Sequence, residues 1–163
     1  VLSGVTIERA ADGHLVISAP GTVITKPGPA NDTAAKGKTA PKIGDKMEDG
    51  TVYAGISPDT NKPMYATPAD APLTYTFNQA QKYAAKLDAH GHHDWHVPTK
   101  GELNVLFQNR AAIGGFDISC PNPAGWYWSS SPDILYSGWA QRFSDGSQGI
   151  GGRGYGSSLR CVR

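Results

Sequence analysis

The sequence of 163 residues is poor in cysteine, in net charge and in long apolar runs, and each shortage excludes a class of protein. Two cysteines, Cys120 and Cys161, are too few for a disulfide-rich scaffold or for a four-cysteine zinc site. No apolar run reaches the roughly 18 residues that cross a bilayer, so no membrane span is encoded. The net charge of +1 creates no field that would hold nucleic acid, and we expect no nucleic-acid partner.

The first residues show neither an initiating methionine nor a charged start followed by an apolar stretch, so no signal peptide is visible. We interpret Val1 as the start of a processed or excised fragment that has lost its targeting segment. The cysteines do not decide the compartment, because they could form one disulfide or remain two buried thiols.

Glycine and proline, by contrast, are abundant, with 20 and 12 residues. Both are poor helix formers, which speaks against a helical bundle or a coiled coil. Four Trp, seven Tyr and four Phe can build a core, which speaks against full disorder. We expect Trp95 and Trp128 in that core, and Trp126 and Trp139 partly exposed.

Three segments differ in composition. Residues 1–25 alternate polar and apolar positions around Asp12 and Gly13, which predicts a β-hairpin. Residues 26–42 hold three prolines and no large apolar residue, a composition typical of a linker. Residues 43–163 are rich enough in apolar and aromatic residues to form the main domain.

The main domain contains two predicted helices, near residues 77–90 and 100–110. The first begins with the capping-box spacing of Thr76 and Gln79, and Gly91 is placed to end it in a left-handed conformation. One face of this helix carries the apolar residues Phe77, Ala80, Ala84 and Leu87. The second helix begins with Thr99 as its N-cap and Glu102 at the capping-box position.

Strands are predicted on both sides of the helices. Residues 46–57 and 62–68 resemble two strands, and alternation after residue 114 predicts three more, within residues 126–131, 138–146 and 158–163. The pair Asp145-Gly146 is a hairpin signal. The fold class is therefore α+β, with two helices and a small twisted antiparallel sheet.

Four motifs stand in a specific order: DWHVPTKGELNVLF, GWYWSSS, WAQRFSDG and a terminal RCVR. Together they resemble the bacterial collagen-like adhesin C-terminal domain family over residues 44–163. The resemblance implies the formylglycine-generating-enzyme type of C-type lectin fold. It also implies a protein that is secreted, on a cell surface or on a phage particle.

The same motifs are similar to the variable proteins of diversity-generating retroelements, which diversify a C-terminal segment on a fixed lectin-like scaffold. The matching segment here is residues 129–163. The resemblance assigns scaffold positions to Trp128, Trp139, Phe143, Asp145, Gly146 and Arg160. It assigns ligand-binding positions to Asp133, Ile134, Leu135, Tyr136, Gln148, Ile150, Arg153 and Tyr155, and we count Trp139 with these as a partly exposed aromatic.

The residues themselves also favour a binding surface in this segment. The apolar run from Ile134 to Tyr136 is unusual at a turn, and the glycines around Ile150, Arg153 and Tyr155 would leave those side chains projecting from a flexible ribbon. Exposed aromatic and arginine side chains are typical of binding surfaces. The alternative is that the apolar run covers the sheet.

These observations predict a non-enzymatic ligand-binding module, the variable protein of a diversity-generating retroelement, with an unidentified protein or glycan as ligand. The alternative function is a secreted or surface adhesin that binds glycans through fixed residues. The sequence sets no oligomeric state.

A metal site is the first chemical alternative. One segment combines four histidines with an aspartate, at His90, His92, His93, Asp94 and His96. Such side chains bind zinc or nickel, but their spacing fits no helical ligand motif, and histidines are also favoured near a helix C-terminus. The triplets Glu-Pro-Asn and Trp-Asn-Asp of calcium-dependent lectins are absent, and Asn122 lacks a neighbouring carboxylate. We expect no metal.

Catalysis is the second alternative. A formylglycine-generating enzyme uses a reactive cysteine pair with copper, and the surroundings of Cys120 and Cys161 do not resemble its active site. No Gly-x-Ser-x-Gly motif or phosphate loop occurs, and the serines at 129–131 are expected to bond to the backbone. We therefore expect no enzyme and no cofactor. If the protein is secreted, the two cysteines are expected to form a disulfide; two buried thiols are the alternative.

Overall fold

A computed structural model describes residues 40–119 and 125–163, together with the backbone of two strands near the N-terminus. The chain divides into two compact units, Val1–Thr39 and Ala40–Arg163. Each unit is described by itself below.

In the first unit, strands β1 (Thr6–Arg9) and β2 (Leu15–Ser18) pair in antiparallel orientation, with Thr6 opposite Ser18. The predicted turn at Asp12-Gly13 and the greater part of the predicted linker lie outside the described residues.

The second unit contains two antiparallel sheets and three helices among its described residues. In chain order the elements are β3 (Val52–Ile56), β4 (Pro63–Ala66), α1 (Phe77–Lys86), α2 (Lys100–Gln108), α3 (Arg110–Ile113), β5 (Trp126–Pro132), β6 (Ser137–Arg142) and β7 (Gln148–Gly152). β3 pairs with β4, and the larger sheet has the order β5-β6-β7. The predicted α+β class is confirmed.

Both predicted capping boxes are present, at the start of α1 and of α2. At α1, the Thr76 hydroxyl accepts from the Gln79 N–H, and the Gln79 side chain accepts from the Thr76 N–H at 3.0 Å. This helix ends at Lys86, four residues earlier than predicted, because Leu87 adopts an extended backbone and packs against the core. Gly91 does have a left-handed φ of 74°, but it lies in the following turn and not at the helix end.

The prediction of only two helices was wrong, because the short helix α3 follows α2 directly. Asn109 separates them with a φ of −102° and a ψ of 9°, and its side chain donates to the Val105 carbonyl at 3.0 Å. Gly114, with a φ of 75°, ends α3. The break lets Ile113 turn into the core, where it is buried.

The larger sheet separates two cores, with α2 against one face and α1 against the other. On the α2 face, the rings of Tyr127 and Phe143 lie 4.3 Å apart. On the α1 face, Trp128 packs edge-on against Phe77, with ring centroids 5.5 Å apart. As predicted, Trp95 and Trp128 are buried, and the other two tryptophans are half-buried.

The third strand of the sheet is β7, and the prediction of a strand at residues 158–163 was wrong. That terminal segment forms single bridges only, such as those of Val162 with Ala66 and with His96. The glycines of β7, expected to form a flexible ribbon, pack closely on indoles: a Cβ at Gly151 would lie 3.0 Å from the Trp128 ring. The hairpin at Asp145-Gly146 is confirmed, since it joins β6 to β7.

A buried ion pair ties the C-terminal segment to the rest of the unit. Arg160 is fully buried, and its Nε donates to Asp70 Oδ1 at 2.7 Å. Its other guanidinium nitrogens donate to the carbonyls of Thr67, Gly114 and Gly115. The Tyr127 hydroxyl donates to Asp70 Oδ2, and burial together with this hydrogen bond raises the pKa of Tyr127. Arg160 thus has the structural role that the resemblance implied.

Candidate functional site

The turn between β5 and β6, residues 133–136, is called the tip below. Its side chains Ile134, Leu135 and Tyr136 are 66%, 80% and 80% exposed. The backbone of the turn is nevertheless fixed, because the Ser137 N–H donates to the Ile134 carbonyl at 3.2 Å and the Ser137 hydroxyl donates to Asp133 at 3.2 Å. In the described part of the chain, the apolar run does not cover the sheet but is presented to solvent.

The chain after β7 lies beside the tip. The Arg153 N–H donates to the Tyr136 carbonyl at 2.9 Å, and the Arg153 Nε donates to the Ser137 carbonyl at 3.0 Å. The guanidinium also lies 4.8 Å from the centre of the Phe77 ring. Arg153 therefore holds the tip in place and does not project freely, whereas Tyr155 is 74% exposed.

The remaining predicted residues lie on the α2 face of the sheet. Trp139 stands opposite Ile150 across β6 and β7, and the Ile150 side chain is 58% exposed. The Lys100 ammonium lies 3.1 Å from the centre of the Trp139 ring, a contact that the sequence analysis missed. Gln148 is exposed at the far end of β7. The predicted residues thus lie on both faces of the sheet: Arg153 packs against Phe77 on the α1 face, and Trp139, Gln148 and Ile150 lie on the α2 face.

A pocket of about 150 Å³ opens on the opposite face of the sheet. Its lining consists of Trp126, Trp128, Ala140, Gly149, Ile150, Gly151, Tyr155, Gly156 and Ser157. Among the described residues, no charged side chain lines it. This pocket was not predicted from the sequence, although the alternation of Trp126 with Trp128 and the glycines in residues 149–152 are a signal for it.

The family model for the Lcl C-terminal domain matches residues 50–163, a span that runs from before β3 to the last residue and includes the tip, β7 and the pocket. The chain belongs to the Lcl C-terminal domain family. A search of curated proteins found no match. Membership of this family fits an adhesin-like, ligand-binding C-terminal module.

In this Lcl C-terminal domain the histidine-rich segment has structural contacts. His92 Nε2 lies 2.8 Å from Asp49 Oδ2, and His90 Nδ1 lies 3.0 Å from the Asp49 carbonyl. The hydrogen bonds from His92 and Thr51 lower the pKa of Asp49. Both imidazoles also meet Trp95 edge-on. Among residues 40–119 and 125–163, no three His, Cys, Asp or Glu side chains converge on a common point.

Glu102 is the centre of a second polar cluster that the sequence analysis did not find. It is buried, and it accepts from the Ser57 hydroxyl at 2.7 Å, from the Thr99 N–H at 3.0 Å and from His96 Nε2 at 3.1 Å. Burial opposes its ionisation, but these hydrogen bonds outweigh burial and lower the pKa of Glu102. The hydrogen bond to Glu102 raises the pKa of His96.

This pair makes stability depend on pH. Folding raises the pKa of His96, so protonated His96 adds to the free energy of unfolding. This stabilisation is complete below the unfolded pKa of about 6.5, and it is lost as the pH rises through the pKa of the folded state. We expect urea unfolding to show a larger destabilisation by His96→Gln at about pH 5.5 than at about pH 9. The control is His93→Gln, since the His93 side chain is 75% exposed. An equal loss at both pH values would contradict the assignment.

Two serines of β5 and Cys161 have structural contacts in the Lcl C-terminal domain. The Ser129 hydroxyl donates to the Trp139 carbonyl at 2.8 Å, and the Ser131 hydroxyl accepts from the Lys100 N–H at 2.9 Å, as predicted. Cys161 is buried, which raises the pKa of its thiol to about 12. Cys120 lies outside the described residues, so the disulfide stays a prediction. No described helix is long and apolar enough to cross a bilayer.

Proposed function

We propose that this Lcl C-terminal domain is a non-enzymatic ligand-binding module and the variable protein of a diversity-generating retroelement. Its recognition surface is the tip together with β7 and Tyr155. The observation that carries this proposal is the run of three apolar side chains at the tip, each at least 66% exposed on a turn with a fixed backbone. Exposing apolar side chains to water is unfavourable in free energy, and burying them against a ligand removes this penalty.

The division between buried and exposed positions supports a variable protein. Trp128, Phe143 and Arg160, which the resemblance assigns to the scaffold, are at most 1% exposed. The positions that it assigns to variation are mostly exposed, so replacing those side chains leaves both cores intact. We propose that the scaffold is the formylglycine-generating-enzyme type of C-type lectin fold.

The absence of catalysis is part of the same proposal. Around the tip and the pocket, the hydroxyls of Ser129 and Ser131 bond to the backbone, and His96 bonds to the capping carboxylate Glu102. None of these groups forms a nucleophile–base pair of the kind that hydrolases use. A module of this type acts outside the cell, and we place it in a secreted, surface-bound or phage-borne protein.

The genomic neighbourhood tests the retroelement proposal. We expect a near-copy of the DNA for residues 129–163 close to the gene, beside a reverse transcriptase, with differences concentrated at adenines. The codons of the tip and of the exposed β7 positions should differ between the two copies, and those of Trp128 and Arg160 should not. A neighbourhood without such a copy would refute the retroelement proposal.

A fixed-specificity adhesin for glycans is the second candidate. The observation that favours it is the pocket beside Trp126 and Tyr155, because aromatic rings stack on the apolar face of sugars. Under this function, close relatives keep Tyr136, Trp139, Arg153 and Tyr155, and a glycan array gives a consistent set of binders. An array without binders, alongside tight binding to a protein, would contradict it.

A further inference from the structure

Within the part of the chain that is described, β7 is an edge strand, and the outward backbone groups of Ile150 have no partner. In the order β5-β6-β7, its second edge has no neighbouring strand among the described residues. The Arg142 N–H donates to the Ser147 carbonyl at one end of β7, and the Arg153 N–H donates to the Tyr136 carbonyl at the other end. These two bonds show which residues of β7 form hydrogen-bonded pairs with β6. Because hydrogen-bonded pairs alternate in an antiparallel ladder, Gly149 and Gly151 bond towards β6, and the N–H and C=O of Ile150 point away from it.

Among the described residues, this edge is protected only at Gly152, whose outward carbonyl accepts from the Tyr155 N–H at 2.9 Å, so Gln148 and Ile150 are left open to strand addition. Proteins protect exposed edges with lysine, proline, bulges or a covering segment. The sequence of β7 is Gln-Gly-Ile-Gly-Gly, with no charge and no proline, and its register with β6 is regular. In the part of the chain that the structure describes, no group bonds to the N–H or C=O of Ile150.

The pocket lies on one face of this same edge. Ser158 bonds to the backbone of Trp126 and Trp128 on the side of β5 away from β6, so the chain between Arg153 and Ser158 crosses that face. The pocket lies between this crossing segment and the glycines of β7. In a strand added to β7, every second side chain points towards this face.

The lining of the pocket selects the kind of side chain. Among the described residues it has no charged side chain and no side-chain amide, and only the hydroxyls of Tyr155 and Ser157 could bond to those of a sugar, although its rings could stack on one. The indoles and bare glycine backbone favour an apolar or aromatic side chain, and about 150 Å³ holds one. A second copy of β7 would present only glycines on this face and would leave the pocket empty.

The charge nearest this edge does not select a feature of the occupant. Arg153 follows β7 directly, and its guanidinium forms no ion pair with a described carboxylate. The guanidinium is directed over β6, where it donates to the Ser137 carbonyl and packs on Phe77, so a strand added on the open side of β7 would not contact it.

We propose that β7 binds an extended peptide segment of a partner protein as a fourth strand, with an apolar side chain of the peptide in the pocket of Trp126 and Trp128. This inference rests on the proposed function and gives the class of its ligand.

The probe is a displayed library of random ten-residue peptides, selected on the full chain. Selected peptides should bind Ile150→Pro about tenfold more weakly or worse, because this variant lacks the outward N–H but keeps the ladder to β6. They should bind Ile150→Val, which keeps the N–H, within about twofold. Thermal melting checks that both variants fold.

A measurement on the unaltered protein does not depend on the folding of a variant. In amide hydrogen exchange, the added peptide should protect the Ile150 N–H. Unchanged exchange at Ile150 would overturn the proposal, as would equal binding to Ile150→Pro, the absence of any selected peptide, or a dimer in sedimentation that Ile150→Pro dissociates.

The outcomes also separate this proposal from the proposed function. Peptides that lose binding to Tyr136→Ala but not to Ile150→Pro would refute strand addition and support recognition by the tip. Binders on a glycan array without a selected peptide would likewise refute only the peptide class. If neither probe gives a binder, both proposals fail.

Discussion

Replacing Asp70 by alanine is expected to lower the free energy of unfolding by about 3–5 kcal/mol. The carboxylate is the only acidic partner of the fully buried Arg160 among the described residues, and it also accepts from the Tyr127 hydroxyl. Without it, a cation stays buried in a core next to the Phe116 ring, with only carbonyl groups to solvate it. Chemical denaturation with urea measures the loss.

Asp94→Ala is the matched control for this prediction. Asp94 pairs with Arg163 at 3.0 Å, but its side chain is 63% exposed, so water screens the pair. We expect the unfolding midpoint of this variant to stay close to that of the unaltered protein. If Asp70→Ala shifts the midpoint no more than Asp94→Ala does, the buried pair does not hold the C-terminal segment in place.

Tyr136→Ala and Tyr155→Ala are each expected to weaken ligand binding by about 1–4 kcal/mol, which is roughly 5- to 900-fold in Kd. Both side chains are at least 74% exposed, so their removal leaves the cores unchanged and the melting temperature should not move. Titration calorimetry with the tightest binder from the peptide library or glycan array gives the affinity. Unfolding of either variant, or unchanged affinity, would show that the side chain is no anchor.

Arg153→Ala should behave differently from the two tyrosine variants. Its side chain donates to the Ser137 carbonyl and packs on Phe77, so alanine removes a support of the tip as well as a charge at the surface. We expect a lower melting temperature together with weaker binding. This dual role follows from the structure and not from the sequence.

Local signals in the sequence were sufficient for the helix starts and for most strands. The hydroxyl of Thr76 or Thr99 bonds to residues only three positions away, so spacing alone predicts each capping box. The turn at Gly146 is similarly local, because its φ of 83° requires glycine or a residue that tolerates this conformation.

The identity of the third strand depended on distant residues. The glycines of β7 resemble a loop when only neighbours in sequence are considered. Their environment is set by another strand: a Cβ at Gly151 would lie only 3.0 Å from the Trp128 ring, whereas a Cβ at Gly149 would be in ordinary contact with Trp126 at 3.5 Å. The pairing of Asp70 with Arg160 joins residues 90 positions apart, and no pattern in the sequence indicates it.

The candidate site was likewise predictable from the sequence where local structure decides it, but not where distant elements meet. An apolar run at a turn indicated the exposure of the tip, because local structure places those residues. The contact of Lys100 with Trp139 and that of Arg153 with Phe77 join different elements, so only the fold could show them. The pocket likewise requires three strands and a crossing segment to assemble.

Hydrogen–deuterium exchange over the whole chain, with and without a bound ligand from the peptide library or glycan array, tests the recognition surface most directly. The account predicts that protection is confined to residues 133–136 and 148–157. A second groove lies along α1 and is lined by Tyr75, Gln79 and Tyr83. The account would be contradicted by protection centred on this groove or on the histidine-rich segment at residues 90–96.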